Sequence, residues 1–109
     1  INLNQKFKKI KDEILGKKYE LSLVFCGNAL SRKLNRIYRD KDKTVNVLSF
    51  PLSKNSGEIF INLSTLKGFS AEYLFIHGCL HLKGMRHSAR MLRVENQLSK
   101  KWLAKSQSA

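Results

Sequence analysis

The chain has 109 residues, which is enough for one compact domain, and we expect residues 1–109 to form a single domain. Lysine and arginine number 21 against 8 aspartate and glutamate residues, so the net charge is +13 at pH 7. A charge of this size in a short chain predicts a polyanionic partner. The hydrophobic share of 42% argues against disorder, and no apolar run reaches the ~20 residues that span a bilayer.

The cysteines and the first residues indicate the cellular compartment. Cys26 and Cys79 both lie in apolar segments, as buried and reduced cysteines do in cytosolic proteins. The first residues alternate polar and apolar side chains and lack the apolar stretch of a signal peptide. We therefore expect a cytoplasmic protein that has no disulfide framework and no membrane partner.

Helix and strand patterns alternate in the first half of the chain. An amphipathic helix comes first, with a stop at Gly16 and apolar residues at helical spacing: Leu3, Phe7, Ile10 and Ile14. Alternating apolar and polar residues over 19–25 then predict a strand. A second short helix is predicted from its apolar positions, which are Leu30, Leu34, Ile37 and Tyr38. A charged loop over 39–44 follows it.

The second half predicts a hairpin and two further helices. VNVLSF at 45–50 and EIFINL at 58–63 read as two strands joined by a polar turn. Ser70 is expected to cap a helix that runs to Gly84. The last helix has one apolar face, formed by Met91, Val94, Leu98 and Trp102. This order predicts an α/β (α+β) fold, in which a small mixed sheet of three to four strands is covered by about four helices.

One segment holds every histidine of the chain: HGCLHLKGMRH, residues 77–87. On a helix, His77 and His81 lie one turn apart and project from the same face. Gly84 ends that helix and lets the chain turn back, so that His87 can reach the same point. Three imidazoles at this spacing, with no obvious fourth protein ligand, are typical of a zinc site with an open position. We therefore predict one Zn²⁺ per chain, held by a metal-binding helix of the zincin type.

The residue after the first histidine bears on the chemistry. Zinc metalloproteases with this spacing carry a glutamate there, which takes a proton from the zinc-bound water. Here the position is Gly78, so a metallopeptidase is disfavoured. Zinc also activates water and polarises phosphoryl oxygens, which suits phosphodiester hydrolysis. The charge of +13 points to the same anionic class of substrate.

Three segments resemble the YbeY endoribonuclease family. HGCLHLKGMRH is similar to that family's H-G-x-L-H-L-x-G-x-D-H signature, and LNRIYRDKDKTVNVLSFP at 34–51 is similar to its L-N-x-x-Y-R-x-K-D block. GEIFIN at 57–62 resembles a strand of the family. The likeness extends over roughly residues 20 to 102.

The resemblance implies a zinc-dependent endoribonuclease that hydrolyses phosphodiester bonds of single-stranded RNA. It implies a role in rRNA maturation and ribosome quality control, with rRNA and the ribosome as partners and no DNA. It also implies that His77, His81 and His87 bind the zinc. Arg39 is implied to be catalytic, because a planar guanidinium clamps phosphate oxygens and stabilises developing charge. Asn46 and Ser49 match family positions as well.

Two positions depart from the family pattern. The aspartate before the last histidine is replaced by Arg86. If that carboxylate orients a ligand imidazole, its loss weakens zinc binding by ~10–100-fold. Alternatively, Arg86 binds substrate phosphate beside the metal. The family also opens with a strand that only residues 1–3 could represent here, which leaves a sheet of three strands or four.

A second hypothesis is a non-catalytic, zinc-stabilised RNA- or ribosome-binding module. It predicts a closed fourth coordination position, filled by Cys26 or Cys79. Cys79 lies two residues after His77, so on a helix it points away from the ligand face.

Overall fold

The computed structural model describes residues 4–103. Seven elements follow one another along the chain: α1 (Gln5–Leu15), β1 (Glu20–Cys26), α2 (Asn28–Arg39), β2 (Val47–Ser53), β3 (Ser56–Asn62), α3 (Ala71–Leu82) and α4 (Ala89–Trp102). This is the order of helices and strands that the sequence predicts. The possible N-terminal strand over residues 1–3, and Leu3 with it, lie outside the described residues.

The three described strands form one mixed sheet in the order β1-β3-β2. β1 runs parallel to β3, with Leu23 opposite Ile59. β2 and β3 form the predicted antiparallel hairpin, and Ser49 is also paired with Ile59. Paired residues share a face of the sheet, so Leu23, Ile59 and Ser49 lie side by side on one face. The predicted fold class is confirmed.

Helices α1 and α3 cover that face and form the core with it. The side chains of Phe7 and Phe75 are in ring contact, with centroids 4.8 Å apart. The buried cluster consists of Phe7, Ile10, Ile14, Leu23, Ile59, Ile61, Leu74, Phe75, Ile76, Cys79, Leu80 and Met91. Five of these belong to α3, so the helix that carries two of the histidines is also the central core helix.

Gly78 sets how closely α3 approaches the sheet. A Cβ atom at this position would lie 2.9 Å from Ser49 Oγ and 3.0 Å from Ile59 Cδ1. Ser49 Oγ donates a hydrogen bond of 3.2 Å to the Gly78 carbonyl. A larger side chain, including a glutamate, would push the helix off the strand, so glycine here has a packing reason.

Helix α2 lies on the other face, and its buried side chains are polar. Ser31 and Asn35 are buried, whereas Tyr38, one of the predicted apolar positions, is 65% exposed. The Ser31 hydroxyl donates to the Val45 carbonyl at 2.7 Å and accepts from the Val45 N–H at 2.9 Å. Asn35 Nδ2 donates to the Lys43 carbonyl at 3.0 Å. The sequence therefore predicts this helix but not its buried face, which anchors the loop leading into β2.

Within residues 4–103, no helix is both long and apolar enough to cross a membrane.

Candidate metal centre

The three histidines meet in a cleft of about 640 Å³ between α3, β2 and the loop before β2. The cleft is lined by Arg39, Lys41, Val45, Asn46, Val47, Ser49, His77, His81 and His87. One ligand atom from each histidine can be chosen so that all three lie within 4.8 Å of one another. Imidazoles from two different elements therefore converge on one point.

The end of α3 brings the third histidine to the site. Gly84 has a φ of 105°, in the left-handed region that favours glycine. Its N–H donates to the His81 carbonyl at 2.9 Å, and the Met85 N–H donates to the Leu80 carbonyl at 3.0 Å. These two bonds form a Schellman motif, which ends the helix and reverses the chain. The predicted stop at Gly84 has this physical basis.

His87 is held between that turn and the start of α4. Ser88 caps α4, because its hydroxyl accepts a hydrogen bond of 3.1 Å from the Met91 N–H. The His87 ring lies 4.5 Å from the His81 ring and 5.1 Å from the His77 ring, measured between centroids. Helix-end hydrogen bonds at Met85 and at Ser88 thus fix the chain on both sides of His87.

The hydrogen bonds of His77 and His81 show which nitrogens are free to bind a metal. His77 Nδ1 contacts the Glu95 carboxylate, and His81 Nδ1 lies 3.0 Å from the Met85 carbonyl oxygen. Both partners are acceptors, so both Nδ1 atoms carry the proton of a neutral ring. Each Nε2 then presents a lone pair, and the two Nε2 atoms are only 3.0 Å apart. Two lone pairs at this distance repel, and a proton or a metal ion shared between the two nitrogens removes the repulsion.

The distances suit a small metal ion. Tetrahedral ligands at ~2.0–2.1 Å from zinc lie about 3.3 Å from one another, close to the separation of the two Nε2 atoms. Burial lowers the pKa of His81, and the neighbouring His77 and His87 lower it further. A lowered pKa keeps the His81 ring neutral at pH 7, which is the form that binds metal. The three histidines are therefore compatible with one metal ion.

Glu95 and Tyr73 form the outer side of the site. Glu95, on α4, is 5% exposed, and its two oxygens contact different partners. Oε2 accepts from His77 Nδ1, and Oε1 accepts a bond of 3.2 Å from the Tyr73 hydroxyl. Burial and the Glu95 charge raise the pKa of Tyr73, so its hydroxyl keeps the proton that it donates. A carboxylate on the outer nitrogen fixes the tautomer and orientation of a metal-binding histidine.

Arg39 and Lys41 line the same cleft as the histidines and bring positive charge to it. The sequence places Arg39 in a loop, but it is the last residue of α2. Asp40 then takes a left-handed conformation, with a φ of 57°, and turns the chain into the loop. The charge of Arg39 contributes to the lowered pKa of His81, so the guanidinium acts on the site electrostatically. Asn46 and Ser49 also line the cleft.

Comparison with protein families agrees with this arrangement. The family model described as endoribonuclease YbeY matches residues 2–105. The chain belongs to the YbeY family. The endoribonuclease YbeY of Ehrlichia ruminantium is 38% identical over an aligned length of 88 residues, with 67% of this chain and 56% of that protein covered. The endoribonuclease YbeY of Treponema denticola is 32% identical, with 75% of this chain and 70% of that protein covered.

The YbeY relatives are longer than the segment that they share with this chain. The chain spans 56% of the length of the Ehrlichia protein. A solution structure from Thermotoga maritima resembles the described fold with a TM-score of 0.62 and 22% identity, covering 95% of this chain and 81% of that one. That likeness concerns the fold alone.

Arg86, which replaces the aspartate of the YbeY signature, is exposed. Among the described residues, it is not one of those that line the metal cleft. Its role in binding substrate stays a prediction. Glu95 nevertheless gives His77 a carboxylate partner from a different helix.

The two cysteines lie away from the histidines. Cys79 is fully buried in the core, and burial raises the pKa of its thiol. Cys26 is paired with Asn62 at the end of β1 and is half-buried. In the described part of the chain, the one group of metal-ligating side chains consists of His77, His81 and His87.

Sequence reasoning missed Glu95 and Tyr73. Both carried a signal: Tyr73 precedes His77 by one helical turn, and Glu95 follows Met91 by one turn on the apolar face of α4. A carboxylate on an otherwise apolar helix face needs a buried partner.

Proposed function

We propose that this chain is a zinc-dependent endoribonuclease that hydrolyses phosphodiester bonds of single-stranded RNA. We also propose that it acts in the cytoplasm on rRNA, in rRNA maturation and ribosome quality control. Membership of a family described as endoribonuclease YbeY supports the activity. The substrate, the metal and the cellular role are part of the proposal.

One observation carries the proposal most strongly. The Nε2 atoms of His77 and His81 lie 3.0 Å apart in a cleft that Arg39 and Lys41 also line. The histidines are suited to bind a cation, and the basic side chains are suited to bind an anion beside it. A phosphodiester supplies that anion, and the net charge of +13 extends the attraction over the whole chain.

His77, His81 and His87 would hold the zinc. Zinc bound by three imidazoles lowers the pKa of a bound water to ~7 and polarises a phosphoryl oxygen. Glu95 keeps the His77 ring in the tautomer that directs Nε2 into the cleft. The Met85 carbonyl does the same for His81. The ligands are thus oriented before any metal binds, which favours tight binding.

Arg39 would bind the scissile phosphate and stabilise the charge that develops on it. Its planar guanidinium can donate two parallel hydrogen bonds to phosphate oxygens in a fixed geometry, whereas a lysine ammonium acts as a point charge. Lys41, in the loop that follows α2, adds a point charge for the neighbouring phosphate. Gly78 offers no side chain to take a proton from water, and a glutamate there would clash with Ser49 and Ile59.

The test of the activity is cleavage of single-stranded RNA by the purified, zinc-loaded chain. Cleavage should stop with a chelator and return with added zinc. The variant His81→Ala should lose both zinc and cleavage, because it removes one of the three ligands. A chain that binds zinc and RNA without cutting the RNA would favour the non-catalytic module instead.

A second variant separates phosphate binding from metal binding. Arg39→Ala should keep zinc and fold but lose ~10²–10³ in cleavage rate, the usual effect of removing one donor that stabilises developing charge. Arg39→Lys should recover part of the rate. Arg36→Ala is the matched control, since Arg36 is an exposed arginine one turn earlier on α2. Equal rates for Arg39→Ala and Arg36→Ala would refute the role given to Arg39.

A further inference from the structure

A smaller cavity of about 210 Å³ adjoins the metal cleft. Asn46, Val47 and His77 line both spaces, so the two are continuous along β2 and α3. Two aromatic side chains, Phe69 and Tyr73, line only the smaller of the two. An RNA strand whose phosphate lies in the metal cleft would place a neighbouring nucleotide in this second space.

The two aromatic rings form a stacked pair. The Phe69 and Tyr73 rings are nearly parallel, at 15°, with centroids 5.2 Å apart. Tyr73 therefore covers one side of the Phe69 ring. Phe69 nevertheless remains 46% exposed at the edge of the smaller cavity. The exposed ring surface is available to a planar group.

The pair is held rigidly. Tyr73 lies one helical turn before His77, and its hydroxyl donates to Glu95, which also holds His77. Phe69 follows a tight turn in which Lys67 and Gly68 both have positive φ and the Phe69 N–H donates to the Leu66 carbonyl at 3.2 Å.

The turn does not need the Phe69 ring as an anchor. Leu66 packs against the hydrophobic core from the same turn. Asn46 Nδ2 also donates to the Leu66 carbonyl, at 3.5 Å, which links the turn to the start of β2. Leu66 and Asn46 thus hold the turn in place, and the Phe69 ring stays exposed beside it.

We propose that Phe69, backed by Tyr73, is a stacking platform for one nucleobase of single-stranded RNA next to the scissile phosphate. The inference rests on the proposed function and adds a base-binding subsite to it. Stacking on an aromatic ring holds any base, since every base has a flat π face. The platform would therefore strengthen binding and favour unpaired RNA without selecting a sequence. A paired base is already stacked within its duplex and cannot reach the ring.

The test measures RNA binding on the zinc-loaded protein by stopped-flow anisotropy, which is complete before turnover. The probes are a short labelled single-stranded RNA and copies that lack one base at successive positions while keeping every phosphate. Phe69→Ala should weaken binding of the intact RNA by ~5- to 160-fold, the range for losing one stacked base. Phe69→Trp should bind at least as tightly as the wild type.

Two comparisons make the result specific. One of the base-free RNAs should bind the wild type about as weakly as the intact RNA binds Phe69→Ala. With that same base-free RNA, Phe69→Ala should cause no further loss of affinity. Tyr38→Ala is the control, because Tyr38 is 65% exposed but pairs with Phe50 on the opposite face of the sheet. It should bind RNA like the wild type, and zinc content should be equal in all variants.

The outcomes separate this proposal from the proposed function. Wild-type affinity in Phe69→Ala, or an equal loss for every base-free RNA, overturns the platform even if the protein cleaves RNA. Absence of zinc-dependent cleavage in the wild type overturns the proposed function, whereas base-dependent binding through Phe69 would still support the platform.

Discussion

Removal of the Glu95 charge should weaken zinc binding although Glu95 does not face the cleft. Glu95 is 5% exposed and accepts hydrogen bonds from both His77 and Tyr73. In Glu95→Gln the side chain keeps its shape and one acceptor oxygen. The other oxygen is replaced by an amide NH₂ group, which is a donor and would face the N–H of His77 or the hydroxyl of Tyr73. His77 then loses either its orientation or its charged acceptor. Such outer partners contribute ~10–100-fold to metal affinity, or about 1.4–2.7 kcal/mol.

The same structure predicts a separate effect on the metal-free protein. Glu95→Ala leaves His77 Nδ1–H and the Tyr73 hydroxyl without their acceptor in a half-buried setting. Each unsatisfied buried donor costs about 1–3 kcal/mol, so the free energy of unfolding should fall by at least that much. Glu95→Gln should lose less, because one acceptor oxygen remains. The two variants should therefore differ in stability more than in zinc affinity.

Zinc affinity is measured by competition with a chelating indicator, and stability by urea unfolding with the metal removed. Glu72→Gln is the matched control, because Glu72 is a carboxylate on α3 whose side chain is 36% exposed and whose ion pair with Lys6 spans 3.9 Å. Exposed pairs of this kind contribute little. If Glu95→Gln binds zinc as tightly as Glu72→Gln, the carboxylate does not position His77 and the reasoning fails.

Two further results are expected. Ser31→Ala should lower the free energy of unfolding by about 2 kcal/mol, because both backbone groups of Val45 lose their partner on α2. Ser53→Ala, which removes an exposed hydroxyl, should change the free energy of unfolding little, and equal effects of the two variants in urea unfolding would contradict this. RNA binding should weaken about 20-fold between about 50 and 200 mM salt if three phosphates are contacted, and an affinity that is flat over this range in anisotropy titrations would exclude the basic cleft as the RNA site.

The parts of the fold that follow from local patterns could be predicted from the sequence. Apolar periodicity located the helices, and glycine and serine located the ends of α3. The same patterns could not show that α2 buries Ser31 and Asn35. Those residues are buried because their side chains bond the loop before β2, and a contact between segments so far apart leaves no local pattern.

The candidate site also has parts that the sequence predicts and parts that it does not. Spacing alone brings His77 and His81 to one helix face, and Gly84 explains how His87 can return to them. The place of Glu95 on the apolar face of α4 indicates a buried partner, but no local pattern shows that this partner is His77, 18 residues away on another helix. On α4, Glu95 is the one carboxylate, beside four basic residues: Arg90, Arg93, Lys100 and Lys101. The charge pattern of α4 is therefore basic overall and does not by itself indicate a buried carboxylate.

The position of that carboxylate bears on the choice between a peptide and a phosphodiester substrate. Three neutral imidazoles leave the charge of a bound zinc ion undiminished, and Glu95 offsets part of it from behind His77. Arg39 and Lys41 then add two positive charges to the lining of the cleft. A peptide carbonyl is neutral and would gain little from these two side chains, whereas each phosphodiester carries a full negative charge. Because Gly78 also offers no proton acceptor, the charges around the histidines support RNA rather than protein as the substrate.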